Sequence, residues 1–232
     1  MVGGLVWIVR RGSEFLRKSR EVGPLYATQL VFDRLMPTFV FSMNTLVVVG
    51  ADLRSLKEYR TSDPELRWAG LEDIEKMATT GDPAASVRKQ LEEGARLAVV
   101  ERGGRIVAYF WCQAGAVDYY DWLRFQLSPT HAWNTYAWVA PELRGQGTHA
   151  RIRDFAYAGY VHGGCTRSLA VIDALNRNSI RAAAKVRALP VGHIRFVRVL
   201  GLTLVRFDRS VRVGWWGLGR RLVLPMGDLR RE

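Results

Sequence analysis

Residues 133–150, WNTYAWVAPELRGQGTHA, decide the fold of this chain. The aromatic and β-branched run from Trp133 to Val139 predicts a strand, because such side chains suit a pleated, half-buried surface. Pro141 removes a backbone donor and ends that strand. Arg144 to Ala150 predicts a tight, glycine-bearing turn that leads into a helix. This order predicts a phosphate site, because free N–H groups and the helix dipole both favour an anion.

The turn and one later stretch resemble a known family. The turn reads Arg144-Gly145-Gln146-Gly147-Thr148-His149 and resembles the Arg/Gln-x-x-Gly-x-Gly/Ala signature of the GNAT superfamily, the acyl-coenzyme A-dependent N-acyltransferases. It matches neither G-x-G-x-x-G nor the P-loop. His149 stands where a small residue is usual. The later stretch, Asn176-Arg177-Asn178-Ser179 before Lys185-Val186, resembles the family's Asn-x-x-Ser stretch, although Arg187 and Ala188 replace the usual Gly-Phe pair.

The order of elements agrees with this resemblance. From Pro64 to Phe207 the periodicity predicts β-α-α-β-β-β-α-β-α-β-β, with a strong hairpin signal at Arg102-Gly103-Gly104. The polar and aromatic segment Gly115–Thr130 predicts a long loop with some helix. The resemblance implies an α/β (α+β) fold: a GNAT-like mixed, mostly antiparallel central sheet flanked by helices. The middle strands of that sheet part to admit the cofactor.

The chain divides into three regions. Residues 1–60 predict a basic, helical N-terminal extension, in which 25–36 has a broad apolar face and Thr45–Val49 predicts a short strand. Residues 61–210 form the GNAT-like domain, and 211–232 a basic tail rich in Trp and Arg. The extension suits a membrane surface, a cap on the main domain or a homodimer contact. The tail suits a lipid interface, nucleic-acid backbone or packing on the extension, and all these alternatives stay open.

Composition limits the class of protein and its partners. The 232 residues, 48% hydrophobic and 24% charged, are those of a globular protein, and the net charge of +12 favours an anionic partner. No nucleic-acid-binding signature is present, so we expect no specific nucleic acid. The two cysteines have no metal spacing, so we expect no metal and a reducing compartment. We therefore expect a cytoplasmic protein, with the inner face of the membrane as a peripheral alternative.

The resemblance implies acetyl-CoA or another acyl-CoA as cofactor. The residues expected to bind it are Trp138, Val139, Arg144, Gly145, Gln146, Gly147, Thr148, His149, Asn176 and Ser179. The glycines let the main chain approach the pyrophosphate, and Arg144 can pair with phosphate. Thr148 either contacts phosphate or caps the helix, and His149 either contacts phosphate or obstructs the turn. Trp138 and Val139 offer main-chain groups to the pantetheine arm. Asn176 contacts that arm, caps the next helix, or does both.

Amide formation requires a base, a polarised carbonyl and an acid. The catalytic candidates are Asp118, Asp121, His131 and Tyr136, the first three as base candidates before the motif strand. Backbone N–H near Val139 would polarise the carbonyl. The family often has an acidic tyrosine seven residues after the asparagine, where this chain has Ala183. Tyr136, Tyr157 or water would have to replace it.

These observations predict an N-acyltransferase, most simply an N-acetyltransferase, that transfers an acyl group directly to a small-molecule or peptide amine. Two alternatives stay open. One is a long-chain acyltransferase or cell-envelope modifier at a membrane surface, to which the extension and tail point. The other is a non-catalytic module that binds acyl-CoA or serves in interaction, to which Ala183 and His149 point.

Overall fold

The computed structural model describes residues 41–55, 63–78, 84–120, 122–207, 210–215 and 221–226. Its strands are β1 (Phe41–Asp52), β2 (Leu66–Trp68), β3 (Arg96–Arg102), β4 (Arg105–Ala114), β5 (Ala116–Tyr120), β6 (Leu123–Leu127), β7 (His131–Val139), β8 (Arg167–Asp173), β9 (Leu189–Val199), β10 (Leu202–Phe207), β11 (Ser210–Trp215) and β12 (Leu222–Met226). Its helices are α1 (Ile74–Ala78), α2 (Ala84–Glu92), α3 (Thr148–His162) and α4 (Arg177–Lys185). The helix expected at 25–36 lies outside the described residues.

A nine-stranded sheet forms the centre, in the order β11-β10-β9-β1-β8-β7-β4-β3-β2. Every neighbouring pair in it is antiparallel except β7 and β8, which are parallel. Helix α3 packs on this sheet through Ile152 and Ala156, which are fully buried. The predicted fold class, a mixed and mostly antiparallel sheet flanked by helices, is confirmed.

A second sheet corrects the prediction for Gly115–Thr130. This segment contains β5 and β6 rather than a loop with some helix, and β6 also pairs in parallel with β12. The reason is a period-2 pattern: Val117, Leu123, Phe125 and Leu127 are buried and enter one apolar core with the central sheet. The aromatic residues between them suit a half-buried strand.

Two segments assigned outside the main domain by sequence also take part in the sheets. β1 lies between β8 and β9, and it is longer than the strand expected at Thr45–Val49. Residues 46–51 are all buried, as expected for a β-branched run in a central strand. In the expected tail, β11 pairs with β10, and β12 buries Leu224 and Met226. The domain boundaries themselves stay a prediction.

None of the helices in the described part of the chain is long and apolar enough to cross a membrane.

Candidate functional site

The central sheet opens between its two parallel strands. β7 and β8 pair only through His131–Arg167, Ala132–Ser168 and Trp133–Leu169. From Asn134 to Val139, β7 has no partner on β8, although it stays paired with β4 through a bulge. The five steps between these six residues correspond to a gap about 16 Å long. This gap, with its closed end at Trp133 and its open end at Val139, is where the predicted parting of the middle strands occurs.

The peptide groups that face the gap follow from strand alternation. The N–H of Ala140 donates to the carbonyl of Val107 at 2.9 Å, so Ala140 faces β4. Successive residues of a strand direct their main-chain groups to opposite sides. Val139 and Ala137 therefore face the gap, whereas Trp138 faces β4. The sequence predicted main-chain contacts to a ligand from Val139 and Trp138. The main-chain groups of Val139 can pair with a ligand, whereas those of Trp138 face β4. Ala137, which also faces the gap, was not predicted.

The glycine turn lies at the open end of the gap, directly after β7. Gly145 and Gly147 have φ of 78° and 80°, in the left-handed region that favours glycine. None of the N–H groups from Gly145 through Ala150 donates to a backbone carbonyl of the described residues. These donors stand at the N-terminus of the 15-residue helix α3. Free N–H groups and the positive end of the helix dipole fit a phosphate or pyrophosphate.

Side chains of the turn donate to carbonyls of the residues that precede it. The Arg144 Nε donates to the carbonyl of Val139 at 3.1 Å, which places this exposed guanidinium beside the gap. Gln146 Nε2 donates to the carbonyl of Glu142 at 2.7 Å. Thr148 is buried, and its hydroxyl lies 3.5 Å from the carbonyl of Leu143. Gly147, not Thr148, is the N-cap of α3, so the predicted cap role of Thr148 is wrong.

His149 lies on the first turn of α3, against β4. Its ring is 5.8 Å from that of Phe110 in an edge-to-face arrangement, while part of the side chain stays exposed. Desolvation, followed by the positive charge of Arg153, lowers the pKa of His149 below its usual value. The imidazole is therefore neutral near pH 7, and it can donate one hydrogen bond without adding charge.

Asn176 stands on the other side of the open end, just after β8. It is the N-cap of α4, and its Oδ1 accepts from the N–H of Ser179 at 3.1 Å. The capping role is therefore confirmed, and Ser179 takes part through its main chain. Parallel strands end at the same edge of a sheet, so this cap and the glycine turn flank one opening. Cofactor contact by Asn176 and Ser179 stays a prediction.

A buried polar cluster, which we call the fork cluster, lies where the strands separate. Asn134 of β7, Ser168 of β8 and Tyr157 of α3 meet there. The amide of Asn134 is 2.6 Å and the hydroxyl of Ser168 3.0 Å from the Tyr157 hydroxyl. Burial raises the pKa of Tyr157 to about 12. The cluster bridges both strands at the closed end. An asparagine inside an apolar strand was the sequence signal for it.

The predicted base candidates are not brought together at the gap. Asp118 is ion-paired with Arg124, at 2.6 Å, and with Arg221, and the hydrogen bond from Arg124 lowers the pKa of its carboxyl. A carboxylate held in this state is a weak base. His131 is buried at the closed end of the strand pair. Asp121 lies outside the described residues.

Tyr136 is the catalytic candidate that lies on the gap. It stands on β7 between the fork and the glycine turn, beside the bulge. Its side chain is exposed, and its ring lies 5.9 Å from that of Tyr109. Within the described ranges, no group of three or more His, Cys, Asp or Glu side chains could hold a metal.

Comparison with known proteins finds likeness in structure alone. No protein-family model matches the chain, and no curated protein matches it. A putative GNAT-family acetyltransferase from Novosphingobium aromaticivorans is similar at 19% identity and a TM-score of 0.48, over 72% of this chain and 66% of that one. A GNAT-family acetyltransferase from Colwellia psychrerythraea is similar at 21% identity and a TM-score of 0.48, over 68% of this chain and 56% of that one. An aminoglycoside N-acetyltransferase solved in complex with CoA is similar at 15% identity and a TM-score of 0.38, over 52% of this chain and 87% of that one.

The chain thus spans just under two thirds of the first of these proteins and about half of the second. At these identities and TM-scores the likeness carries no argument about activity or substrate. In structure, this chain resembles GNAT acetyltransferases.

Proposed function

We propose that this chain is an acyl-CoA-dependent N-acyltransferase that transfers an acyl group directly to an amine. Acetyl-CoA is the simplest donor, and the proposed acceptor is a small-molecule or peptide amine. The observation that carries the proposal is the gap between β7 and β8, which ends in a left-handed glycine turn with free N–H groups. A long cofactor with a phosphate-bearing end fits this combination of an anion site and an open strand edge.

The cofactor's anionic end would be held by the turn. The N–H groups from Gly145 to Ala150 form no backbone hydrogen bond with the described chain, and α3 adds its positive dipole end. Arg144 adds a formal charge beside them, and its guanidinium can pair with phosphate once it leaves the Val139 carbonyl. With its carbonyl released, Val139 would offer both its N–H and its C=O to the amide-bearing arm of the cofactor.

Two tyrosines near the gap would then take part in proton transfer. When bound, acyl-CoA supplies an activated thioester carbonyl. Tyr157 keeps its proton at neutral pH, because burial raises its pKa to about 12, and it lies where the two strands part. It is our candidate for the acid that Ala183 cannot supply. Tyr136, exposed beside the bulge, is positioned to orient the amine or a water that accepts its proton.

Binding of the cofactor is tested first, because it does not require knowledge of the acceptor. Titration calorimetry and thermal shift with CoA, acetyl-CoA and a long-chain acyl-CoA should show binding by the wild type. Arg144→Ala should weaken it about tenfold, as expected for loss of a charged phosphate contact. Arg105→Ala, an exposed arginine at the β3–β4 turn, is the matched control and should leave affinity unchanged. Absence of binding by every ligand would refute the proposal.

A non-catalytic acyl-CoA-binding module is the second candidate. It is favoured by Ala183 in place of the family's tyrosine and by the engagement of Asp118 with Arg124 and Arg221. Thiol release from acetyl-CoA, measured across a panel of amines, distinguishes the two. Tight binding without amine-dependent thiol release for any amine would favour the module. Amine-dependent release that Tyr157→Phe slows, with unchanged CoA affinity, would favour the enzyme.

A further inference from the structure

One face of the strands β1, β9, β10 and β11 is apolar and exposed; we call it the outer face. Directly opposite residues of antiparallel strands share a face, so the pairings define it in rows. The first row is Met43, Val197, Leu204 and Val213, and the second is Phe41, Val199 and Leu202. Met43 and Val213 are 59% and 60% exposed, and Val199, Leu202 and Leu204 are each between 44% and 46%.

The alternation of exposed and buried residues along β10 shows that the exposed apolar residues belong to one face of a regular strand. Thr203, Val205 and Phe207 are buried on the core side, while Leu202 and Leu204 point outward. A sheet with one solvated face normally places polar residues there. A contiguous apolar surface of this kind marks an interaction site.

The hairpin between β9 and β10 ends in an unusual residue. Leu200 has a φ of 49°, in the left-handed region, and its side chain is 67% exposed. A branched apolar side chain is costly there, and asparagine or glycine is the usual choice. Neither burial nor backbone preference in this fold favours a leucine at this tip. The choice suits a surface into which the tip inserts.

A row of arginines lies on the same face, farther from the hairpin tip than the apolar rows. Arg195 and Arg206 are paired across β9 and β10, both are exposed, and both belong to the outer face. Each stands four residues from Val199 or Leu202, about 13 Å along the strand. Interfacial protein segments bury apolar residues about 5–10 Å into the headgroup and acyl boundary, while arginine lies among the headgroups. The outer face has this layered arrangement.

We propose that the outer face docks on an anionic lipid surface, with Leu200 and the apolar rows inserted and the arginine row among the phosphates. Charge complementarity favours lipid over a second copy of the chain. In a two-fold dimer through this face, the arginine rows of both copies would lie in one interface and repel each other. The chain's net charge of +12 also favours an anionic surface. The inference does not depend on the proposed reaction.

The test is co-sedimentation of the full chain with two kinds of vesicle: phosphatidylcholine alone, and phosphatidylcholine mixed with phosphatidylglycerol. We expect binding to the mixed vesicles that weakens with salt. Leu202→Thr with Leu204→Thr should reduce partition about tenfold, because two apolar contacts are lost. Arg195→Gln should reduce it about fivefold. Val223→Thr is the control, since Val223 is exposed on β12 outside the outer face.

Leu200→Asn separates a lipid contact from a structural role. Asparagine tolerates the left-handed conformation, so the variant should unfold at a higher temperature and yet bind vesicles several-fold more weakly. Three outcomes would overturn the proposal. They are no wild-type binding to mixed vesicles, equal binding by the double threonine variant, and a dimer by light scattering that this variant converts to monomer without any vesicle binding.

Discussion

The two ends of the β7–β8 pair differ in whether their polar groups have hydrogen-bond partners in the described chain. At the closed end, Trp133 and Leu169 are fully buried, and the fork cluster joins Asn134, Ser168 and Tyr157 by internal hydrogen bonds. At the open end, the glycine turn is exposed and its N–H groups have no backbone acceptor in the described chain. The closed end therefore holds the strands in position, and the open end offers free groups to a ligand. Changes at the first should alter stability most, and changes at the second should alter binding most.

The largest effect is expected from Trp133→Ala at the closed end. The ring is fully buried and lies 4.8 Å from that of Phe125. Its indole N–H has no hydrogen-bond partner among the described residues, so the loss is one of packing. We expect a loss of about 3–5 kcal/mol in the free energy of unfolding. Urea denaturation measures it, with Trp133→Phe as a milder variant. A loss below that of the phenylalanine variant would contradict the described packing.

Tyr157→Phe tests whether the fork cluster stabilises the strand pair. Removing the hydroxyl leaves Asn134 and Ser168 with fewer partners, and we expect a loss of about 1–3 kcal/mol in urea denaturation. Tyr160→Phe is a matched control on the same helix, because the buried Tyr160 hydroxyl has no partner among the described residues. That variant should be neutral or more stable. Equal losses in both would show that the fork cluster contributes nothing.

Gly147→Ala changes the open end. An alanine Cβ meets no atom within 4 Å there, but φ of 80° is unfavourable for it. We expect a loss of about 1–2 kcal/mol in stability and a large loss of CoA affinity, because the turn must distort. Gly163→Ala is the control at the other end of α3, where φ is −79°. If Gly147→Ala binds CoA as well as the control does, the turn is not the anion site.

Asn176→Ala and Asn176→Asp separate the cap from ligand contact. Alanine should cost about 1 kcal/mol in thermal or urea unfolding through loss of the bond to the Ser179 N–H. Aspartate keeps that acceptor and should keep stability. If the side chain also meets the cofactor, aspartate should weaken CoA binding in calorimetry. Unchanged affinity in the aspartate variant would leave Asn176 as a cap only.

The smallest effect is expected from pH at His149. The pKa of its imidazole is lowered in the folded state, so below about pH 6.5 the unfolded chain binds more protons. The stability contributed by His149 is thus present at higher pH and falls as pH drops through that range. The difference in urea midpoint between wild type and His149→Gln should shrink or reverse on acidification. If His149 contacts phosphate, wild-type CoA affinity should also rise relative to the variant, since imidazolium attracts the anion.

The sequence predicted the elements whose signal is local. The hairpin at Arg102-Gly103-Gly104, the strand before Pro141 and the helix capped by Asn176 each follow from residues within one turn or strand. It did not predict the strands in Gly115–Thr130, where charged and aromatic residues are interspersed and only the core beneath shows which face is buried. It also placed Asp118 near the chemistry, although Arg221, far along the chain, pairs with that carboxylate.

The sequence by itself determined the glycine turn, because positive φ, free N–H groups and a helix start are properties of a few adjacent residues. It also determined the order of most strands and helices, through hydrophobic periodicity. Only the tertiary structure decided that β1 lies between β8 and β9, that β7 and β8 separate after Trp133, and that the outer face stays exposed. Strand pairing joins residues distant in the chain, and no local pattern specifies which edge a strand meets.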